Sequence, residues 1–78
     1  MQLKSVKCSP AIRLIGHVSP EAMTRVIRYL DSLSAGVWRI AKVRLRTRNP
    51  YFVVRYKPTN RSGVWEAVFG LDGSCWAD

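Results

Sequence analysis

Seventy-eight residues, 47% of them hydrophobic, suffice for one small domain with a single core and leave little room for an enclosed enzyme pocket. That apolar content excludes a disordered chain, and no stretch is long or apolar enough to span a bilayer as a helix. Thirteen Lys and Arg against five Asp and Glu give a formal charge of +8, so the expected partner is anionic, a property shared by nucleic acid, an acidic protein face and an anionic membrane surface.

Residues 1–6 carry no apolar run of the roughly 7–15 residues that a signal peptide needs, which sets the expectation of a cytoplasmic protein. Cys8 and Cys75 stand near opposite ends, and in a reducing compartment they are expected as two thiols rather than a clasp. With His17 they lack any metal-ligand spacing, so neither a zinc site nor another cofactor is expected.

The first element in chain order is a short, mostly apolar run after Pro10. Residues 11–18 predict a strand with Ile12, Leu14 and Val18 inward and His17 within it. Ser19-Pro20-Glu21 then supplies an N-cap, a proline for the first helical position and an acid for the first turn. A helix is predicted over 20–34, with Met23, Val26, Ile27, Leu30 and Leu33 on its apolar face, Arg25, Arg28 and Ser32 opposite, and Gly36 as its stop.

Three strands follow, at about 37–47, 51–57 and 64–71. Closing the first two through Arg48-Asn49-Pro50-Tyr51 sets Val43 against Tyr56, Leu45 against Val54 and Thr47 against Phe52, so the apolar sets share a face. Pro50 cannot take the positive φ of a tight two-residue turn, which implies a four-residue loop or a cis-proline turn. Across residues 58–63 the parity sets Tyr56 against Trp65, Val54 against Ala67 and Phe52 against Phe69. Asp72-Gly73 marks a last turn into a short tail at 74–78. The expected architecture is one α+β domain over 1–78, β-α-β-β-β, with one helix on one face of a mostly antiparallel sheet.

The stretch Lys42-Val43-Arg44-Leu45-Arg46-Thr47-Arg48 alternates cations with smaller or apolar residues at the strand period, so one face is basic. The same register gathers Lys42, Arg44, Arg46 and Arg48 with Tyr51, Arg55 and Lys57. It opposes Lys42 to Lys57 and Arg44 to Arg55, and Glu66 faces Arg55 from the next strand. Like charges directly opposite each other cost stability unless they stay solvated or meet an anion; the face reads either as a solvated surface or as an anion-binding one, and the clustering of its cations favours the second. Phe52, Tyr56, Trp65 and Phe69 are expected in the core. Trp38 and Trp76 are either core edges or aromatic anchors for a partner. With only Tyr51 clearly on the basic face, the stacking platform of a single-strand reader is not expected, and phosphate contacts with weak sequence preference are.

Catalytic groups are sparse: one His, scattered carboxylates with no paired acids, and glycines that form no phosphate loop. The leading expectation is therefore a non-enzymatic protein whose basic sheet face binds DNA or RNA, or a nucleic-acid-handling assembly, with neither a small-molecule substrate nor a membrane as partner. A second class is an inhibitor or adaptor that binds an acidic surface of a nucleic-acid-binding protein, comparable in size and charge to phage-encoded anti-CRISPR proteins. In layout alone, a small basic α+β chain with an Arg-rich sheet resembles the ribosome-dependent RNA-cleaving toxins of toxin–antitoxin pairs, from whose usual pattern it departs by having one helix and no matching motif. That resemblance implies Arg44 or Arg46 stabilising the phosphorane, with Lys57, Tyr51 or His17 moving protons.

Overall fold

Residues 10–78 are described by the computed structural model, and Cys8 lies outside them. The helix start at Ser19 forms as its residues dictate: the Ala22 amide donates to Ser19 Oγ at 3.1 Å, Pro20 occupies the first turn, and Glu21 lies at its positive end. This helix, α2, spans Pro20–Ser32 and buries Ala22, Val26 and Leu30. Ile27 is not part of that stripe and is 42% exposed, because it lies one residue, about 100° of turn, beyond Val26. The helix also stops before Gly36. Ser34 adopts a left-handed φ of 58°, and its carbonyl accepts the Thr59 amide at 2.8 Å, which turns the chain into the sheet. Gly36 serves the strand that follows, where a Cβ would stand 2.6 Å from Thr59 Cγ2.

The expected first strand is a helix. α1 spans Pro10–Leu14, buries Leu14 and leaves Ile12 57% exposed. Its signal is the pairing of proline at the start with Gly16 past the end at a φ of 86°, an asymmetry that a five-residue element shows in place of periodicity. His17 accordingly sits exposed in the turn after α1, its amide donating to the Leu14 carbonyl at 2.9 Å.

Four antiparallel strands follow in the order β1-β2-β3-β4: Ala35–Arg44, Tyr51–Pro58, Trp65–Gly70 and Cys75–Ala77. The α+β class with a helix covering one sheet face stands, and the fourth strand comes from the C-terminal tail rather than from residues 11–18. β2 and β3 pair as the parity predicts, Phe52 with Phe69, Val54 with Ala67 and Tyr56 with Trp65. The β1–β2 pairing differs. β1 ends at Arg44, residues 45–50 form a wider loop with no cis peptide among the described residues, and Arg44 faces Tyr51. A bulge between Ile40 and Lys42 then shifts the register by one, so Trp38 faces Tyr56 and Ile40 faces Val54. The bulge lets Trp38, Ile40 and Val43, spaced two and then three apart, all reach the helix side.

Between α2 and the sheet lie Val26, Leu30, Val43, Phe52, Val54, Tyr56, Ala67 and Phe69, closed at one end by Leu14. Phe52 and Phe69 stack with centroids 5.6 Å apart, and Tyr29 of α2 meets Phe69 edge-on at 5.7 Å. Each of the two buried phenylalanines contributes about 2–3 kcal/mol by leaving water, and the Tyr29–Phe69 contact is the one of these pairs that joins the helix to the sheet. Trp65 is not in this core. It lies on the helix side beyond the covering helix, 39% exposed, with the Arg61 guanidinium 4.1 Å over its ring.

Candidate anion-binding face

The sheet face turned away from α2 is built in rows across the strands. Arg44, Tyr51 and Gly70 form one row, Lys42, Val53 and Val68 the next, then Arg39, Arg55 and Glu66, and finally Val37 with Lys57. The shifted register removes both expected like-charge oppositions, because Lys42 now faces Val53 and Arg44 faces Tyr51. The observed register creates one opposition of its own, Arg39 against Arg55, and Glu66 on the other flank of Arg55 offsets it through an ion pair of 2.7 Å. Arg39 is the cation that strict alternation missed, since without the bulge its parity falls on the core side.

Of the expected binding residues, Lys42, Arg44, Tyr51, Arg55 and Lys57 are brought together on this face. Arg46 and Arg48 are not on the strand. Both lie exposed in the 45–50 loop, because Pro50 and the polar run before it do not extend the pairing. Arg46 nevertheless joins the edge of the face: a groove of about 660 Å³ is lined by Arg13 of α1, Lys42, Arg44 and Arg46, with Pro10, Ala41, Val43 and Leu45. Arg13 enters only because residues 10–14 are helical and pack beside β1. A second groove, about 610 Å³, lies at the other end of β1 and β2, where Arg39, Arg55 and Lys57 surround Val37 and Val64.

The two tryptophans left open by the sequence separate. Trp38 packs half-buried against the core as an edge residue. Trp76 lies on the cationic face, where its ring occupies the space over Gly70 and meets Tyr51 at a centroid distance of 5.8 Å. A Cβ at Gly70 would stand 2.8–2.9 Å from three indole atoms, so glycine is what admits the ring.

The acids are arranged against this pattern. Glu66 is the acid that the strand pairing places on the cationic face. Glu21 and Asp31 are on α2, and Asp72 is in the β3–β4 turn, where the Ser74 hydroxyl and amide donate to it at 2.7 and 3.1 Å and hold its carboxyl below the usual range. Asp78 accepts from the Tyr29 and Tyr56 hydroxyls on the helix side. No three His, Cys, Asp or Glu among the described residues stand together as metal ligands, and no described helix is long and apolar enough to cross a membrane. Comparison with protein-family models, curated proteins and solved structures finds no match.

Proposed function

We propose that this domain is a non-enzymatic nucleic-acid-binding module that holds the phosphate backbone on the open face of its sheet. The observation that carries the reading is charge segregation: Arg13, Arg39, Lys42, Arg44, Arg46, Arg55 and Lys57 line the face and its two grooves, against Glu66 alone among the acids of its strand rows. Such clustering creates a field that is unfavourable to the free domain and is neutralised by a polyanion. Phosphate contacts dominate in this reading, so affinity depends weakly on sequence and strongly on salt.

Titration of labelled DNA and RNA at several salt concentrations tests it. With about five phosphates neutralised, log K falls against log salt with a slope near −4 to −5 for a duplex. Absence of binding at ~20 mM salt, where counterion release is most favourable, removes the proposal. RNA recovered intact from the same incubation fits a binding module; cleaved RNA would instead favour the ribonuclease reading.

The groove around Val37 and Val64 favours one alternative, an inhibitor or adaptor docking on an acidic protein surface, because these two valines are exposed among Arg39, Arg55 and Lys57. An apolar centre ringed by cations suits an acidic protein groove as well as it suits phosphate. Affinity capture from a nuclease-treated host lysate separates the two. Partners lost on nuclease treatment fit the nucleic-acid reading, and one stoichiometric protein that persists fits the alternative.

A further inference from the structure

We infer, resting on the nucleic-acid reading above, that the preferred ligand is single-stranded and that an unpaired base stacks on Trp76 beside Tyr51. Gly70 is the last residue of β3. Its missing side chain leaves a flat site on the open face at the end of β3, and the Trp76 ring fills it, within 2.8–2.9 Å of the absent Cβ position. Tyr51 stands opposite Gly70 in the β2–β3 ladder and flanks the indole at 5.8 Å, so two aromatic rings adjoin on the sheet. The core is not what uses Trp76, which stays 47% exposed after covering Gly70.

The cations stand where a backbone beside such a base would run. Arg44 faces Tyr51 across the β1–β2 ladder, and Lys42 follows two residues away on the same face. Exposed aromatic surface next to a cation row is the arrangement that suits single strands: the rings take base faces that a duplex keeps stacked inside, and the cations take the phosphates. A duplex can use the cations but gains nothing from the indole. The weak sequence preference expected of this face is retained, because every base offers a π-face.

The test compares a short labelled single strand with the duplex of the same sequence, using wild type, Trp76→Leu and Trp76→Tyr, with circular dichroism and melting to confirm folding. Leucine keeps apolar cover over Gly70 without a stacking face, and tyrosine keeps the ring. The expected result is tighter binding of the single strand by wild type, a loss of roughly 10- to 100-fold in single-strand affinity for Trp76→Leu, near-wild-type affinity for Trp76→Tyr, and duplex binding unchanged in all three. Equal affinity for both ligands, or a folded Trp76→Leu that binds single strands as wild type does, overturns the inference while leaving phosphate binding intact. Failure of wild type to bind either ligand at low salt overturns the parent reading along with it.

Discussion

Arg55 donates from Nε and Nη2 to a single carboxylate oxygen of Glu66, at 3.0 and 2.7 Å, and thereby ties up one cation of the sheet face with the acid opposite it. Both side chains are close to half exposed, so the pair contributes below about 1 kcal/mol to stability. Its larger effect is on charge. In Glu66→Gln, Arg55 is released to phosphate, so nucleic-acid affinity rises several-fold and the salt slope steepens by about 0.7 to 0.9. Binding isotherms at several salt concentrations measure both quantities. Affinity that falls in the variant would show that Glu66 positions Arg55 for the ligand rather than competing with it.

Arg13 reaches the face from outside the sheet, sharing a groove with Lys42, Arg44 and Arg46. Arg13→Ala is expected to weaken binding several-fold for any sequence and to flatten the salt slope by about 0.7 to 0.9, as a phosphate contact does. Arg28→Ala serves as the control, since Arg28 is exposed on α2, which covers the other side of the sheet. Equal effects of the two substitutions would mean that net charge, and not this groove, governs binding.

How far the fold was legible depended on whether a strand keeps its phase. β2 and β3 alternate without interruption, so pairing Phe52 with Phe69 and Val54 with Ala67 follows from parity, and the Arg55–Glu66 pair follows with it. β1 changes phase at Ala41, and one bulge moved Trp38 to the core edge and Arg39 to the open face. The step from Ile40 to Val43, three residues instead of two, was the available signal. Trp76 was unreadable for another reason. Its position over Gly70 exists only because the β3–β4 turn returns the tail along β3, a tertiary fact that local pattern does not contain. α1 failed on length, because five residues are too few to display a helical period, although Pro10 and Gly16 bracket it.

Ser34 holds its left-handed φ of 58° with a side chain that disfavours it. A non-glycine residue in this region gives up roughly 1 kcal/mol, and glycine removes that strain while adding freedom to the unfolded chain. Ser34→Gly is therefore expected to raise stability by about 0.5 kcal/mol, or ~2–4 °C in Tm for a domain this small. Ser34→Val, β-branched and ill-suited to positive φ, should lower it by at least about 1 kcal/mol. Thermal melts of both variants decide the matter, and a Ser34→Gly variant less stable than wild type would show that the serine hydroxyl has a role that outweighs the strain.

The Tyr29 and Tyr56 hydroxyls, one from α2 and one from β2, both donate to the Asp78 carboxylate, at 2.9 and 2.8 Å. Hydrogen bonding to Cys75, then to Asp78, raises the Tyr29 hydroxyl above its ordinary 10.0; burial, followed by the bond to Asp78, raises Tyr56. A pKa raised on folding contributes stability that is fully present below the unfolded value and is lost as pH rises toward the folded one. Asp78 thus fastens helix to sheet most firmly below about pH 10 and loosens above it. Asp78→Asn, which keeps the shape and removes the charged acceptor, should lower stability by about 1 kcal/mol at neutral pH, a figure held down by the exposure of Asp78. The gap between wild type and variant should stay level from about pH 6 to 9 and narrow above about pH 10. Denaturant melts across this range measure the gap, and one that widens with alkali would show that the tyrosines are not the groups whose ionisation the carboxylate opposes.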